Sequence, residues 1–371
     1  MFVKDDREDA QLKSAPRAIQ YRSARAALEM GRFTHSIESS VYSLKDRYGT
    51  RIFGKGCNMH ELAEDFIVKR DLFRDPVYLM LDASKFDAHV SIELLRLVRR
   101  FYLSLCAVPH ERRYVSYLWG KTFSNYGVTR RGVRYKTDGT RMSGDMDTGL
   151  GNSLIMYVVL SRYLHLVDIT KSVMSVNGDD SVIIIERSDL AKARDVTSIE
   201  RMGFKIKFEV AFELQDMEFC QCRMVETDYG WVLARSPERI LTRTGWSPAK
   251  YGRKRIKDYI YSLGMGEMAI SYGVPIGHAL GKALWKESPT GDYFCWDRKK
   301  HLTVVKQKYW GKQTECTISY AARVSYMNAF GITPEEQIHI ENSFKVNTSM
   351  LITDTQFDLY QCLTSQRIGG V

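Results

Sequence analysis

Val173-Met174-Ser175-Val176, Asn177-Gly178-Asp179-Asp180 and Val182-Ile183-Ile184-Ile185 follow one another with only Ser181 intervening. Two apolar, β-branched runs flank a short polar segment with Asn-Gly inside it, the pattern of a β-hairpin. Two adjacent carboxylates at such a turn repel each other and gain nothing from packing. A divalent cation reverses the sign of that interaction, because hard cations take oxygen ligands and the ion is the largest local charge. Asp and Gly are also ordinary turn residues, so the meaning of the turn depends on two segments upstream.

The first of these is Val77-Tyr78-Leu79-Met80-Leu81, which follows Pro76 and reads as a buried strand ending at Asp82. Ile92, Leu94, Leu95, Val98, Phe101 and Tyr102 then recur at helical spacing, which puts Asp87 just before or at a helix start. If this strand and the hairpin are neighbours in one antiparallel sheet, Asp82, Asp179 and Asp180 converge at one edge. Two divalent ions about 3.5–4 Å apart require such a cluster for phosphoryl or nucleotidyl transfer. The second segment is Ser143-Gly144-Asp145-Met146-Asp147-Thr148-Gly149-Leu150-Gly151-Asn152, a Gly-containing loop running into a helix that continues through Tyr163. Thr148 and Asn152 are four apart and share a helix face. Asn152, joined by Asp87, can contact a 2′-hydroxyl, which both donates and accepts. Bland readings compete at each position. Asp82 suits a helix N-cap, Asp87 the helix dipole, and Thr148 and Asn152 the satisfaction of backbone groups.

The chain has 371 residues, 44% hydrophobic and 26% charged, the profile of a soluble globular protein with two or three structural units. A net charge of +10 favours a polyanionic partner, either nucleic acid or an anionic membrane surface. The seven cysteines are scattered, and the close pair Cys220 and Cys222 lacks zinc or redox spacing. A reducing, intracellular setting follows. The charged run Lys4, Asp5, Asp6, Arg7, Glu8 and Asp9 is not what a signal peptide is expected to show, and the longest apolar stretch, 154–167, is broken by Ser161, Arg162 and His165, too short to span a bilayer. Gly49-Thr50-Arg51-Ile52-Phe53-Gly54-Lys55 has the shape of a phosphate loop, but Gly56 replaces the metal-binding hydroxyl, so it reads as turns. A polar helix is expected near residues 190–202, strands at 204–209 and 231–234, and mostly helix beyond Pro237. The order of elements suits an α+β sheet with helices on one face.

Asp82-Ala83-Ser84-Lys85-Phe86-Asp87, the Ser143–Asn152 segment and Gly178-Asp179-Asp180 together resemble motifs A, B and C of a viral RNA-dependent RNA polymerase. Pro16-Arg17-Ala18-Ile19-Gln20-Tyr21-Arg22 is similar to that family's basic motif F, which Phe2-Val3-Lys4 resembles at its beginning. Glu218-Phe219-Cys220-Gln221 followed by Arg235-Ser236-Pro237 resembles motif E and the approach to the thumb. The combination resembles the polymerases of tombusvirus-like positive-strand RNA viruses, over residues 1 to about 240.

The resemblance implies an α+β right-hand fold of fingers, palm and thumb with an antiparallel palm sheet. It divides the chain into fingers at 1–75, palm with motif A at 76–103, a fingers insertion at 104–142, palm with motifs B to E at 143–236, and thumb at 237–371. The fingers are expected to be shortened at the N-terminus, or the sequence to be a fragment. Asp82 and Asp179 would hold Mg²⁺, with Mn²⁺ as a substitute, and Asp180 would assist. Asp87 and Asn152 would check the ribose with Thr148 supporting them, and Ser143 and Gly144 would form a loop touching the template. Arg17 and Arg22, with Lys4 and Lys13 nearby, would neutralise the triphosphate, though a solvated basic face is the competing reading. Arg201, Lys205 and Lys207 all lie where the family's motif D supplies a general acid. Two departures stand out: Tyr21 where proline is usual, and Asp147 where Asn or Thr is more common.

The implied activity is RNA-templated RNA synthesis from NTPs, with RNA template and nascent RNA as partners. A membrane-anchored viral replication protein would bring the chain to membrane-bound complexes in the host cytoplasm. Two rivals carry different expectations. A non-catalytic RNA-binding fragment of a replication complex would show salt-sensitive binding without synthesis. A reverse transcriptase is disfavoured by Asp87 with Asn152, because DNA synthesis calls for excluding the 2′-hydroxyl.

Overall fold

The computed structural model describes residues 2–3, 18–129, 131–244, 253–288, 308, 310–312 and 314–344. By internal contacts the chain forms two units: residues 1–56 with 68–213, and residues 57–67 with 214–371.

The first unit begins with a two-residue antiparallel pairing of β1 (Phe2–Val3) with β2 (Ala18–Ile19), followed by helix α1 (Ala24–Tyr42). Helix α2 (Met59–Asp71) starts within the second unit's residues and ends within the first's. Its N-terminus is closed reciprocally: Asn58 Oδ1 accepts from the amides of His60 and Glu61, and Glu61 Oε2 accepts from the Asn58 amide. Then come β3 (Pro76–Ala83), the short α3 (Phe86–His89), α4 (Ile92–Ser104), α5 (Pro109–Gly120) and the hairpin β4 (Ser124–Val128) with β5 (Arg134–Asp138). Helix α6 (Thr148–Leu166), the hairpin β6 (Ser172–Asn177) with β7 (Asp180–Glu186), two short helices, α7 (Leu190–Ala193) and α8 (Thr197–Arg201), and β8 (Ile206–Ala211) complete it.

Four of these strands make one antiparallel sheet in the order β6-β7-β3-β8. The anticipated mixed α+β architecture with an antiparallel sheet is therefore present, and the hairpin and the Asp82 strand are neighbours in it. Val77, Leu79, Leu81 and Ala83 of β3 and Ile183 and Ile185 of β7 face the main core, with Leu95, Val98 and Tyr102 of α4 and the nearly all-round buried α6. Each such isoleucine, fully buried, contributes about 1.5–3 kcal/mol. The other face of β7 is apolar too: Val182 and Ile184 are as buried as Ile183 and Ile185. Alternation therefore cannot fix the register of this strand, and the two-residue turn does. That turn's central residues are Gly178 and Asp179, closed by the pair Asn177–Asp180, rather than Asn-Gly. Gly178 has φ +72°, which a glycine at the first central position of such a turn supplies without strain.

Residues 104–142, without periodicity as a sequence, contain α5 and the β4–β5 hairpin. The polar helix expected at 190–202 is broken in two, because Asp195 Oδ1 accepts from the Thr197 amide at 3.0 Å and restarts the chain as α8. The segment 49–56 is turns and single bridges, with Phe53 bridging Val176 of β6.

The second unit holds the sheet β11-β10-β9, made of β9 (Glu218–Phe219), β10 (Cys222–Thr227) and β11 (Gly230–Arg235). Its helices are α9 (Pro237–Arg243), α10 (Arg253–Ile270), α11 (Gly277–Glu287), α12 (Tyr320–Phe330) and α13 (Pro334–Ser343). Val225, Val232, Ala234 and Tyr326 share a core there, and Arg323 clamps Glu341 with bonds of 3.0 and 2.8 Å. Among the described residues no helix is long and apolar enough to cross a membrane.

Candidate active site

Asp82 is the next-to-last residue of β3, and the register sets it between Asp180 of β7 and Lys207 of β8. Directly opposed residues in antiparallel strands have Cβ atoms about 5 Å apart, so these side chains crowd one edge of the sheet. Partial desolvation and the Asp179 carboxylate push the Asp82 carboxyl above its ordinary value, with Lys207 opposing the shift. Lys207 is itself paired with Glu209 at 2.6 Å, so its charge is shared along the strand. Asp179, in the turn, is exposed. The turn is pinned from α6: Ser153 Oγ accepts from the Gly178 amide at 2.9 Å and donates to the Gly149 carbonyl.

Among the described residues no three His, Cys, Asp or Glu side chains come together to hold a metal ion. The register sets Asp82 directly opposite Asp180, and the Asp179 charge reaches Asp82 from the turn. Hard-oxygen chemistry still fits. Mg²⁺ is ordinarily held by one or two carboxylates plus substrate phosphates, and the Asp179 charge adds to the cost of ionising Asp82, a cost that a cation would relieve.

The second cluster is built on the loop before α6. Asn152, one turn into the helix, donates from Nδ2 to Asp87 Oδ1 at 2.7 Å and accepts on Oδ1 from Arg141 Nε at 3.2 Å. Asp87 is held because Phe86 stacks on Phe204, with ring centroids 4.7 Å apart, and because the Asp87 carbonyl accepts from the Arg141 amide. Arg141 also donates from Nη1 to Asp147 Oδ2 at 2.9 Å. Trp119 Nε1 and Tyr102 OH donate to that same oxygen, at 3.0 and 3.3 Å. Burial disfavours the Arg141 charge, but Asp147, Tyr102 and Asp145 outweigh it and hold the guanidinium protonated. Asp147 is thus the N-cap residue of α6 without capping through its side chain, because its carboxylate turns into the core. The departure from Asn or Thr at this position has a partner in Arg141.

The remaining predicted residues fall in several places. Thr148 does not join Asn152: its hydroxyl folds back onto the carbonyls of Met142 and Asp145. Ser143 and Gly144 are stitched to the segment after β2. Ser143 Oγ accepts from the Gln20 amide at 3.3 Å, and the Gly144 amide donates to the Gln20 carbonyl at 2.7 Å. Arg22 pairs with the buried Asp145, Nε to Oδ1 at 2.7 Å, and also donates to Asn125 Oδ1. Burial pushes the Asp145 carboxyl up, and Arg22 pulls it down. Arg201 and Lys205 are exposed, and the Lys205 carbonyl accepts from the Ser84 amide beside Asp82. Lys4, Lys13 and Arg17 lie outside the described residues.

Arg141, Asp145, Asp147 and Ser153 were missed as site residues in the sequence. One signal was present: three charged residues, Arg141, Asp145 and Asp147, crowd a loop next to an apolar helix, where burial forces them to pair.

A family model described as viral RNA dependent RNA polymerase matches residues 2–352. The RNA-directed RNA polymerase of Oat chlorotic stunt virus (isolate United Kingdom) is 32% identical over 387 residues, covering 95% of this chain and 50% of that protein. Those of Carnation mottle virus and Tobacco necrosis virus (strain D) are each 30% identical, covering 94% and 92% of this chain and 47% and 49% of theirs. The chain spans about half the length of the curated relatives it matches. A match over nearly the whole chain, added to acidic residues set opposite one another at the edge of an antiparallel sheet and a hydrogen-bonded Asp87–Asn152 pair, places this chain in the viral RNA-dependent RNA polymerase family.

Proposed function

We propose that the chain catalyses RNA-templated RNA synthesis from NTPs, as the replicative enzyme of a positive-strand RNA virus. The observation that carries this reading is the register that sets Asp82 beside Asp180, with the Asp179 charge acting on it. In this reading the 3′-hydroxyl of the growing strand attacks the α-phosphate of an NTP and pyrophosphate leaves. Asp82 and Asp179 would hold divalent cations, Mg²⁺ or Mn²⁺, which when bound neutralise charge on the phosphates and lower the pKa of the attacking hydroxyl. Asp180 crowds the same edge and strengthens its negative potential.

Asp87 and Asn152 contact the ribose 2′-hydroxyl, the carboxylate accepting and the amide donating. Of the three basic candidates for protonating the leaving pyrophosphate, Lys207 is favoured, because its backbone lies directly opposite Asp82. The loop at Ser143 and Gly144 meets the template and nascent pair, with Thr148 bracing it. Lys4, Arg17 and Arg22 serve the triphosphate, Arg22 once released from Asp145 or through its placement of that loop. The first unit's sheet corresponds to a palm in a right-hand arrangement, and a membrane-anchored viral partner brings the polymerase to replication membranes in the host cytoplasm.

The test is incorporation of labelled NTPs on an RNA template with Mg²⁺ or Mn²⁺, beside filter binding of the same RNA. Asp179→Ala and Asp82→Asn should each abolish synthesis while leaving RNA binding intact. Binding without incorporation by the unaltered chain, or synthesis that survives either substitution, would overturn the proposal.

A further inference from the structure

Asn152 has two faces to its side-chain amide, and the two present opposite chemistry. A carboxamide that turned over by half a rotation would aim its oxygen at the Asp87 carboxylate, acceptor against acceptor. What prevents this is on the far side of Asn152. Arg141 Nε can only donate, and it meets Asn152 Oδ1 at 3.2 Å, leaving Nδ2 to face Asp87 Oδ1 at 2.7 Å. The guanidinium is in turn held by the Asp147 carboxylate, with side-chain exposures of 1% and 0% for the two residues. Trp119 and Tyr102 fix that carboxylate in place. The Arg141 main chain is tied to the same pair, its amide donating to the Asp87 carbonyl at 2.8 Å.

We propose that Arg141, locked by Asp147, is the positioning residue for ribose selection: it sets the orientation of the Asn152 amide, and through it the Asp87–Asn152 pair that reads the 2′-hydroxyl. The inference rests on the polymerase reading given above. Arg141 lies behind Asn152 and acts through it.

A second feature supports the assignment. Within α6, a Cβ built on Gly151 would lie 2.3 Å from Arg141 Nη2, so the absence of a side chain there leaves the space that the guanidinium occupies. Arg141 Nη2 and Asp147 Oδ1 are buried without a hydrogen-bond partner among the described residues. Replacing a buried ion pair by an apolar pair of similar volume is often neutral or stabilising, so stability alone is a weak reason for this one. The arginine's use is the geometry of its fork, which delivers one donor to the carboxylate and another to the amide oxygen.

The test compares kcat/KM for an NTP and for its 2′-deoxy analogue on the same RNA template. Lysine keeps the charge beside Asp147 but not the Nε donor, so Arg141→Lys should lower the ribo-over-deoxy ratio by about ten-fold or more. Asn152→Ala should lower it to a similar level, and combining the two should lower it no further, because both break one device. If Arg141→Lys does not fold, Arg141→Met with Asp147→Asn removes both charges together while keeping an acceptor for Trp119 and Tyr102. The same fall in the ratio is expected there. A purely structural role would slow both nucleotides alike and leave the ratio unchanged, and an unchanged ratio in the folded variant overturns the inference alone. A wild-type chain that incorporates neither nucleotide overturns the polymerase reading, and this inference with it.

Discussion

Gly151 has no side chain, and Arg141 occupies the space one would take. A methyl group at this position would lie 2.3 Å from Nη2 and 2.9 Å from the guanidinium carbon, and the arginine, 1% exposed, would have to shift within the core to admit it. Gly151→Ala should therefore destabilise the chain despite alanine's better helix propensity, by about 1–3 kcal/mol, the usual range for overpacking. Urea unfolding checks this. A variant as stable as the wild type would mean that Arg141 has somewhere else to go. The same residues show what can be read from one sequence. The strand that ends near Asp82, the helix start near Asp87 and the place of Asn152 one turn into α6 were legible, because apolar runs and helical spacing mark those elements. Arg141 and Asp147 showed only as part of a crowd of charges beside an apolar helix, because a sequence does not say which of those charges are buried and paired. Burial is decided by Trp119, Tyr102 and the loop between them, which are distant along the chain.

Among elements, the turn between β9 and β10 carries strain that no sequence rule announces. Phe219 pairs with Cys222, so Cys220 and Gln221 are the two central residues, and both have positive φ, at 54° and 60°. Hairpins of this kind favour Asn-Gly, since each ordinary residue in the left-handed region costs about 1–2 kcal/mol. Cys220→Asn with Gln221→Gly should raise the stability of the chain by about 1 kcal/mol in urea unfolding, and a neutral or destabilising result would count against strain at this turn. The turn was missed for lack of Gly, Asn or Pro, the same reason the break at Asp195 inside the polar segment 190–202 went unread. The main sheet was legible for the opposite reason. Gly178 punctuates the hairpin, and the continuous apolar run of β7 can be accommodated only as a strand covered on both faces. Helix α5 lay between these cases. Pro109 marks its start, but only Val115, Leu118 and Trp119 are buried, a face too narrow to stand out among exposed tyrosines.

For the whole molecule, the division by contacts falls at 56/57, 67/68 and 213/214, whereas the motif-based boundaries were drawn at 75/76, 103/104, 142/143 and 236/237. A short stretch, 57–67, counts with residues more than 140 positions further on, and pairing at that distance leaves no local trace in the sequence. His60 sits on this stretch and ties it to β11 of the same unit. The ring is 1% exposed, and its Nδ1 faces the Trp231 carbonyl at 3.2 Å, an acceptor that requires Nδ1–H as donor. Burial lowers its pKa from the ordinary 6.5; Lys308 acts in the same direction, and the Trp231 carbonyl and Glu64 oppose without reversing it. The sign of the linkage follows. The unfolded chain takes up the proton at a higher pH than the folded one, so the unfolded state binds more protons in the window below 6.5. Stability from this residue is fully present above 6.5 and is lost as pH falls through the lowered folded value. The thermal midpoint should therefore drop between about pH 8 and about pH 5.5, and His60→Gln, which keeps a donor for Trp231 but cannot titrate, should drop by less. The difference between the two slopes is the measured quantity, so any fixed cost of the substitution cancels. Parallel slopes would assign the acid sensitivity to other groups and leave His60 a neutral packing residue over the whole range.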